Sequence, residues 1–242
     1  MIKKKILKII NAALKILNIK IVKNVDQFSN TYRLCLAFKE QNITEIYDIG
    51  ANEGQFAKDL RYYGYTHKII SFEPLSIEHA KLNDNSKNDE NWEVYERVAI
   101  GDENKNIEIN ISKNSVSSSI LNIKNEHIDA APESRFVSKQ KVNQVKLNDV
   151  FKKLSKNLSN SFLKIDTQGY EFQVLKGADQ VLSNFKGLLV EVSLAELYEG
   201  QKNWIDIIDY LKSLGFKIWS IDRGFTNKKN GKTLQVDLVF FR

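Results

Sequence analysis

Nine residues, Ile46-Tyr47-Asp48-Ile49-Gly50-Ala51-Asn52-Glu53-Gly54, restrict this chain more than any other stretch. An apolar run of strand character drives straight into a turn with two glycines, and helix periodicity begins at Gln55. The first amides of a helix have no partner inside it, and glycine lets a ligand come close to the main chain, so this junction is a small-molecule site. A buried strand feeding a helix also commits the chain to an α/β architecture.

The alternation continues. A helix over 55–63 ends at Gly64, and a compact apolar strand over 67–72 stops at Glu73-Pro74, because proline cannot extend it. A helix over 76–82 and a polar loop over 83–91 lead to a third strand, 92–100, closing on Gly101-Asp102. A strand over 106–112 precedes a long, weakly patterned region that holds the serines of 115–119 and reaches residue 140. Long loops inside compact domains are more often functional than idle. A strand over 141–147 leads into a helix over 150–158, capped by Asn148 or Asp149. The strand 161–165 ends at Asp166 and breaks at Gly169; the helix 171–182 is weakened in its middle by Gly177. Strand 187–192, the most apolar, carries Glu191 and Ser193 at its end, and helix 204–214 stops at Gly215. Strands 216–221 and 234–241 have no helix between them and form a hairpin, which makes one of them antiparallel.

With 242 residues, 42% hydrophobic, the chain supports one domain (41–242) and an N-terminal helical extension (1–40). Residues 1–21 read as a basic amphipathic helix, with Ile2, Ile6, Ile9, Ile10, Ala13 and Leu17 on one face and lysines on the other. Lysines interrupt every apolar run, so this is neither a membrane span nor a signal peptide. It either packs on the domain or a partner subunit, or it rests on anionic lipid at the inner membrane. A second helix is expected over 25–40. The net charge of +6 is scattered among acids without an arginine-rich or aromatic-basic block, which argues against a nucleic-acid partner. Cys35 is the sole cysteine, so no internal disulfide forms and no zinc-ligand pattern exists; a reducing, cytoplasmic setting fits.

Asp48, Glu73, Asp102, Asp166 and Glu191 all fall at expected strand ends, where open α/β sheets bind ligands. One such acid is readily a helix cap; five beside a glycine turn are not fully explained that way. The turn lacks the G-x-G-x-x-G of a nicotinamide site and the Gly-Lys-Ser/Thr of a P-loop, and Glu53 stands where a pyrophosphate would sit. Glu73, roughly 20 residues past the turn, suits the two hydroxyls of a ribose. A ligand with ribose, adenine, no phosphate and a cationic centre near carboxylates is S-adenosylmethionine.

Taken together, Ile46 to Gly54, Phe72-Glu73-Pro74, Val98-Ala99-Ile100-Gly101-Asp102, Ser117-Ser118-Ser119 and Leu163-Lys164-Ile165-Asp166-Thr167-Gln168-Gly169-Tyr170-Glu171 resemble the FkbM family of methyltransferases. The likeness runs from Asn42 to the C-terminus and includes Leu175-Lys176-Gly177-Ala178, Glu191 and Gln235-Val236-Asp237. It implies a Rossmann-like class I methyltransferase fold, a mostly parallel seven-stranded sheet ordered 3-2-1-4-5-7-6 with the last strand antiparallel. It places Asp48, Gly50, Asn52 and Gly54 on the amino-acid part of the cofactor and Glu73 with Pro74 at the ribose. The adenine falls near Ala99, Ile100 and Asp102, and Ser118 joins the same set, while Gln55 and Phe56 serve helix start and core.

Asp166 is expected where methyl group and acceptor meet, taking up the proton of an acceptor hydroxyl. Lys164, two residues earlier on the same sheet face, either pairs with Asp166 or acts as base with a lowered pKa. Gln168, Glu171, Glu191 and Ser193 are expected acceptor ligands, with a helix-start carboxylate the competing role for Glu171. A divalent metal held by Asp166 and neighbouring acids is an alternative that the motif does not demand. Base N-methylation needs an Asn/Asp-Pro-Pro-aromatic run that Asp166-Thr167-Gln168-Gly169 does not supply. The resemblance favours a sugar hydroxyl of a bacterial surface polysaccharide; a secondary-metabolite hydroxyl is the alternative, and a dinucleotide oxidoreductase or a non-catalytic cofactor binder stand further off. Small molecule or glycan is the expected partner, and an oligomer is compatible with the sequence.

Overall fold

The computed structural model describes residues 29–154 and 158–242. In chain order its first half comprises α1 (Asn30–Glu40), β1 (Glu45–Ile49), α2 (Gln55–Tyr62), β2 (Lys68–Phe72), α3 (Ser76–Ser86), β3 (Trp92–Val94), β4 (Ala99–Ile100), β5 (Lys105–Ser112) and α4 (Asn125–Ala130). Then come β6 (Phe136–Val145), α5 (Leu147–Leu154), β7 (Ser161–Ile165), α6 (Glu171–Gly177), β8 (Gly187–Ser193), α7 (Trp204–Ser213), β9 (Lys217–Arg223) and β10 (Gln235–Phe241). The helix expected over 1–21, and the lipid contact considered for it, lie outside the described residues. No described helix is long and apolar enough to cross a membrane.

Seven strands form one sheet, ordered β3-β2-β1-β7-β8-β10-β9, in which only β10 runs antiparallel to its neighbours. Counted along this sheet alone, that is 3-2-1-4-5-7-6. The difference from expectation is an inserted second sheet of three strands, β4-β6-β5. The single strand expected over 92–100 therefore splits: β3 stays beside β2, and β4 pairs with β6. Tyr95, in the break, keeps one main-chain bond to β2, its amide donating to the Ser71 carbonyl (2.9 Å), and packs its ring 4.7 Å from Phe72, while Arg97 donates to the Pro74 carbonyl (3.0 Å).

Alternation along β1 sorts the core into two layers. Tyr47 and Ile49 face a cluster with Leu163, Ile165, Leu188 and Val190 under α5, α6 and α7. Ile46 faces the opposite layer, with Phe162, Leu189 and Val239 under α1 and α2. Ser29 caps α1 by accepting from the Tyr32 amide (3.3 Å), and Leu34, Ala37 and Phe38 of that helix are buried in the second layer. Phe38 meets Phe162 edge-on at 4.7 Å, and burying such a ring stabilises by roughly 1.5–3 kcal/mol. At its outer side Arg33 clasps the far sheet edge: Nη1 lies 3.1 Å from Asp222 Oδ1, and Nη2 donates to Ser220 Oγ (3.1 Å).

Other boundaries move for local reasons. Helix α3 runs on to Ser86, into the expected loop, because Leu82 and Ser86 are buried and the Asn83 amide bonds back to the His79 carbonyl (2.8 Å). The weakly patterned region after β5 holds α4 and the first half of β6, whose alternation is masked by exposed residues at most positions. Neither Asn148 nor Asp149 caps α5; both lie inside it, Asn148 reaching Asp179 (2.7 Å) and Asp149 accepting from Asn104 (2.7 Å). Helix α6 stops at Gly177, where a Cβ would run into the Gly101 carbonyl.

Candidate active site

At the C-terminal end of β1 the chain turns through Gly50 (φ 77°) and Asn52 (φ 49°) into α2. Gly50 and Ala51 donate to the Phe72 carbonyl (3.1 and 3.0 Å), which binds the turn to the end of β2. A Cβ on Gly50 would strike the Asp166 carbonyl, so the close approach of two strand ends, together with positive φ, requires glycine here. Around this junction lies a cavity of about 430 Å³, a size ordinary for small-molecule sites.

Glu73 sits on one wall, 4% exposed. Its Oε2 accepts from the Asn52 amide (2.8 Å) and its Oε1 from the Leu75 amide (2.8 Å). Burial pushes the Glu73 carboxyl up to about 7, against the pull of those two amides. A carboxylate has acceptor sites for about four donors, so each oxygen keeps one for a ligand.

Lys164 projects from β7 on the α1–α2 face of the sheet, beside Asp48 in register. Its Nζ lies 3.0 Å from Asp48 Oδ1 and 3.7 Å from Asp166 Oδ2, and donates to the Gly50 carbonyl (3.0 Å). Burial would lower this ammonium, but the Asp48 and Asp166 carboxylates outweigh it and hold its pKa well above the ordinary value. Asp48 is fully buried, which raises its carboxyl, while Lys164 draws it back down. The contact to Lys164 is close but poorly aligned, so neither Asp48 oxygen has a hydrogen bond of good geometry. A lysine held charged between two carboxylates cannot accept a proton, and the expectation of Lys164 as a base is corrected to that of a fixed cation.

Asp166 follows β7 directly and opens onto the cavity, its side chain 33% exposed. Gln168, in a left-handed conformation (φ 54°), donates from Nε2 to Asp166 Oδ1 (2.8 Å) and to Glu191 Oε2 (2.6 Å). The buried Tyr198 hydroxyl stands 2.9 Å from Gln168 Oε1 and 3.1 Å from the Ser117 carbonyl, donating to this pair of acceptors. Gln235 Nε2 also donates to Glu191 Oε2 (2.7 Å). Burial, then the neighbouring Asp166, Asp237 and Glu171 carboxylates, push Glu191 well above the ordinary range. Asp237, opposite Glu191 in the β8–β10 register, is pushed to about 7 by burial and Asp166, partly offset by Lys164.

The cavity thus brings together Gly50, Asn52, Glu73, Pro74, Ala99, Ile100, Ser118, Lys164, Asp166, Gln168 and Glu191. Five expected residues do not line it. Asp48 lies behind Lys164, and Gly54 packs under the Trp92 ring. Asp102 is turned toward the Tyr170 hydroxyl (3.5 Å) rather than an adenine. Glu171 is buried and accepts from the Thr167 amide (2.9 Å) and the Gly169 amide (3.0 Å), the helix-start role; burial raises it to about 7. Ser193, 8% exposed, pairs across the ladder with Gln235.

Gln55 and Phe56, assigned above to helix start and core, do face the cavity, as do Asn30, Thr31 and Leu34 of α1 and Asp222 and Asp237 of the hairpin. One signal for Asp237 was available: an acid inside the apolar run Gln235-Val236-Asp237-Leu238-Val239. Tyr198 lies in Leu197-Tyr198-Glu199-Gly200-Gln201, a run that resembles family members associated with surface polysaccharides, though no role is assigned to it from sequence; nothing in the local pattern marks Asn30. Among the described residues, no group of three or more His, Cys, Asp or Glu is placed to hold a metal ion.

The residues fit S-adenosylmethionine. Glu73 keeps free acceptor sites for a diol, Leu75, Val98, Ala99, Ile100 and Ile109 make an apolar slot for a flat base, and carboxylates gather where a sulfonium would lie. The methyltransferase FkbM domain matches residues 48–218. The 2-O-methyltransferase NoeI of Sinorhizobium fredii is 28% identical over 189 residues, covering 75% of this chain and 76% of that protein. A SAM-dependent methyltransferase from Aquifex aeolicus superposes with a TM-score of 0.45 at 10% identity, covering 96% of this chain and 98% of that one. Precorrin-6y C5,15-methyltransferase from Geobacter metallireducens gives 0.44 at 10% identity, covering 93% and 94%. Likenesses this distant say nothing of substrate.

Proposed function

This chain belongs to the FkbM family of methyltransferases and uses S-adenosylmethionine, and on that premise we propose that it methylates a sugar hydroxyl, with Asp166 taking up the hydroxyl's proton. The observation that carries this reading is the setting of Asp166. It opens onto the cavity beside the glycine turn, one oxygen oriented by Gln168, the other within reach of the Lys164 ammonium. Bound there, the cofactor supplies a methyl group on a sulfonium, which an acceptor oxygen receives as the carbon–sulfur bond breaks and a thioether leaves.

The protein's part is positioning and proton handling. Glu73 receives the ribose hydroxyls, and the Asn52 region and Gly50 border the amino-acid portion. Pro74 borders the ribose beside Glu73, and Ala99, Ile100 and Ser118 enclose the base. The Lys164 ammonium lies between Asp48 and Asp166 and stays charged itself, with its pKa held above the ordinary value. The Asp166 carboxylate accepts a hydrogen bond from the acceptor hydroxyl and takes its proton as the oxygen attacks, a role typically worth 10²–10⁴-fold in rate. Gln168 and Glu191 border the acceptor beside it.

A sugar acceptor is supported by the 28%-identical relative NoeI, a 2-O-methyltransferase. The wider reading is a role in bacterial surface polysaccharide assembly on the cytoplasmic side of the inner membrane. Mass spectrometry of the host's surface glycans, with and without the gene, tests it: loss of a single methyl group is expected, and glycans unchanged in methylation refute it.

A further inference from the structure

By the elements that carry them, the lining residues of the cavity fall into two groups, here called lobes, with Asp166 and Gln168 between them. One, the cofactor lobe, comes from the glycine turn and the stretches that follow β2 and reach Ile100. The other comes from α1, β8, β9 and β10 and includes Asp222 and Asp237. Its wall residues Asn30, Thr31, Asp222, Asp237 and Val239 come from α1 and from the hairpin of β9 and β10. Arg33 holds the wall in place by joining α1 to Asp222 and Ser220, with Trp219 5.6 Å from its guanidinium carbon.

Charge decides what the lobe admits. Among the described residues, six acids line the whole cavity, Asp59, Glu73, Asp166, Glu191, Asp222 and Asp237, against one cation, Lys164. Lys164 already serves Asp48, Asp166 and the Gly50 carbonyl, and Arg33 is taken by Asp222. A phosphate or carboxylate entering here would meet like charge in a poorly solvated space, with no free cation among the described residues to receive it. Even with Glu191 and Asp237 holding protons, nothing positive is released for it. Hydroxyls, in contrast, find donors and acceptors on Asn30, Thr31 and Gln55, and Leu34 and Leu189 offer apolar surface to the C–H face of a ring.

We propose that this second lobe is the acceptor subsite and that it takes an uncharged, hydroxyl-rich ring, a sugar unit with no phosphate or carboxylate near the methylated position. The inference rests on the sugar reading above and narrows it. A sugar still bearing an anomeric phosphate would carry that charge into the lobe, so the substrate must come from a phosphate-releasing reaction, of which glycosyl transfer is the relevant class. Methylation then follows attachment of the sugar to its glycan.

The test uses the full chain, S-adenosylmethionine with a labelled methyl group, and three acceptor panels: methyl pyranosides, the same sugars as 1-phosphates, and simple phenols. Label is expected on at least one pyranoside, with the matching 1-phosphate slower by roughly tenfold or more. Asp237→Asn, which removes a negative group from the lobe, should narrow that ratio. Thr31→Trp, which fills the lobe from α1, should abolish transfer while S-adenosylhomocysteine still binds. Equal or faster transfer to the 1-phosphates overturns the inference and leaves the sugar reading standing. Label on phenols alone removes the sugar reading itself. No transfer to any panel by a chain that binds S-adenosylhomocysteine also overturns the inference, as does full activity in Thr31→Trp.

Discussion

Asp237→Asn should stabilise this protein, and by an amount that grows with pH in a defined window. Asp237 stands between Glu191 and Asp222 across the ladder, with Asp166 and Lys164 nearby, and its carboxyl is raised from 3.8 to about 7. An acid whose pKa is higher in the folded chain keeps its proton longer there. The stability this contributes is fully present below the unfolded value, 3.8, and is lost as pH rises through the folded value, about 7. Across that window the shift corresponds to at most roughly 4 kcal/mol, at about 1.4 kcal/mol per pH unit. Relaxation of the neighbouring acids and entry of water reduce the realised effect to roughly 1–3 kcal/mol. The asparagine has no charge to lose. Urea unfolding of both chains at pH 4.5, 6, 7 and 8 should therefore give near-equal stability at the lowest pH and a widening advantage for the variant up to pH 7, level beyond it. An advantage that is constant with pH, or a variant less stable at pH 8, would refute the placing of Asp237 among buried like charges.

Three further substitutions follow from the same geometry. Gly50→Ala forces a side chain into positive φ and onto the Asp166 carbonyl, and should cost roughly 2–5 kcal/mol of unfolding free energy, with cofactor binding lost in parallel; a thermal scan checks it. Glu73→Gln gives one of the Asn52 and Leu75 amides a donor in place of an acceptor and removes the charge, so calorimetry with S-adenosylhomocysteine should show affinity weakened roughly tenfold or more. In the wild type the same affinity should rise with pH through about 7 and then level, because the ionised carboxylate is the better acceptor, and in the variant it should be flat. Tyr198→Phe removes the hydroxyl beside Gln168 Oε1 and frees the amide that orients Asp166; kcat should fall roughly tenfold while KM for S-adenosylmethionine stays put, a split that steady-state kinetics resolves.

The main sheet was legible because its strands are short apolar runs bounded by glycine, proline or acids, and Ile46 to Gly54 announces its own turn. The hairpin showed itself through the absence of a helix between its strands. Less legible was the second sheet: β4 has two residues, and β6 is exposed at so many positions that its first half reads as loop. Glu73, Asp166 and Glu191, which line the cavity, stand out in sequence as acids at strand ends, and Gln168 as part of the run that follows Asp166. Asp48, Asp102 and Glu171 stand out in the same way and face elsewhere, since a strand-end acid also suits a buried ion pair or a helix start. Sequence spacing carries no information on which way such a side chain turns. The α1 wall was missed for a related reason: its residues meet the site through packing against β7, β8 and β10 and through the Arg33 link to β9, contacts with no local signature.

The most direct test of the central claim sets methyl transfer beside cofactor binding in Asp166→Asn. The asparagine keeps an oxygen for Gln168 and cannot take a proton. Transfer to the acceptor should fall by roughly 10²–10⁴-fold, with the affinity for S-adenosylhomocysteine changed less than about threefold, a difference under 1 kcal/mol. Transfer at near wild-type rate with the cofactor bound normally would contradict the assignment of Asp166 as the group that receives the proton.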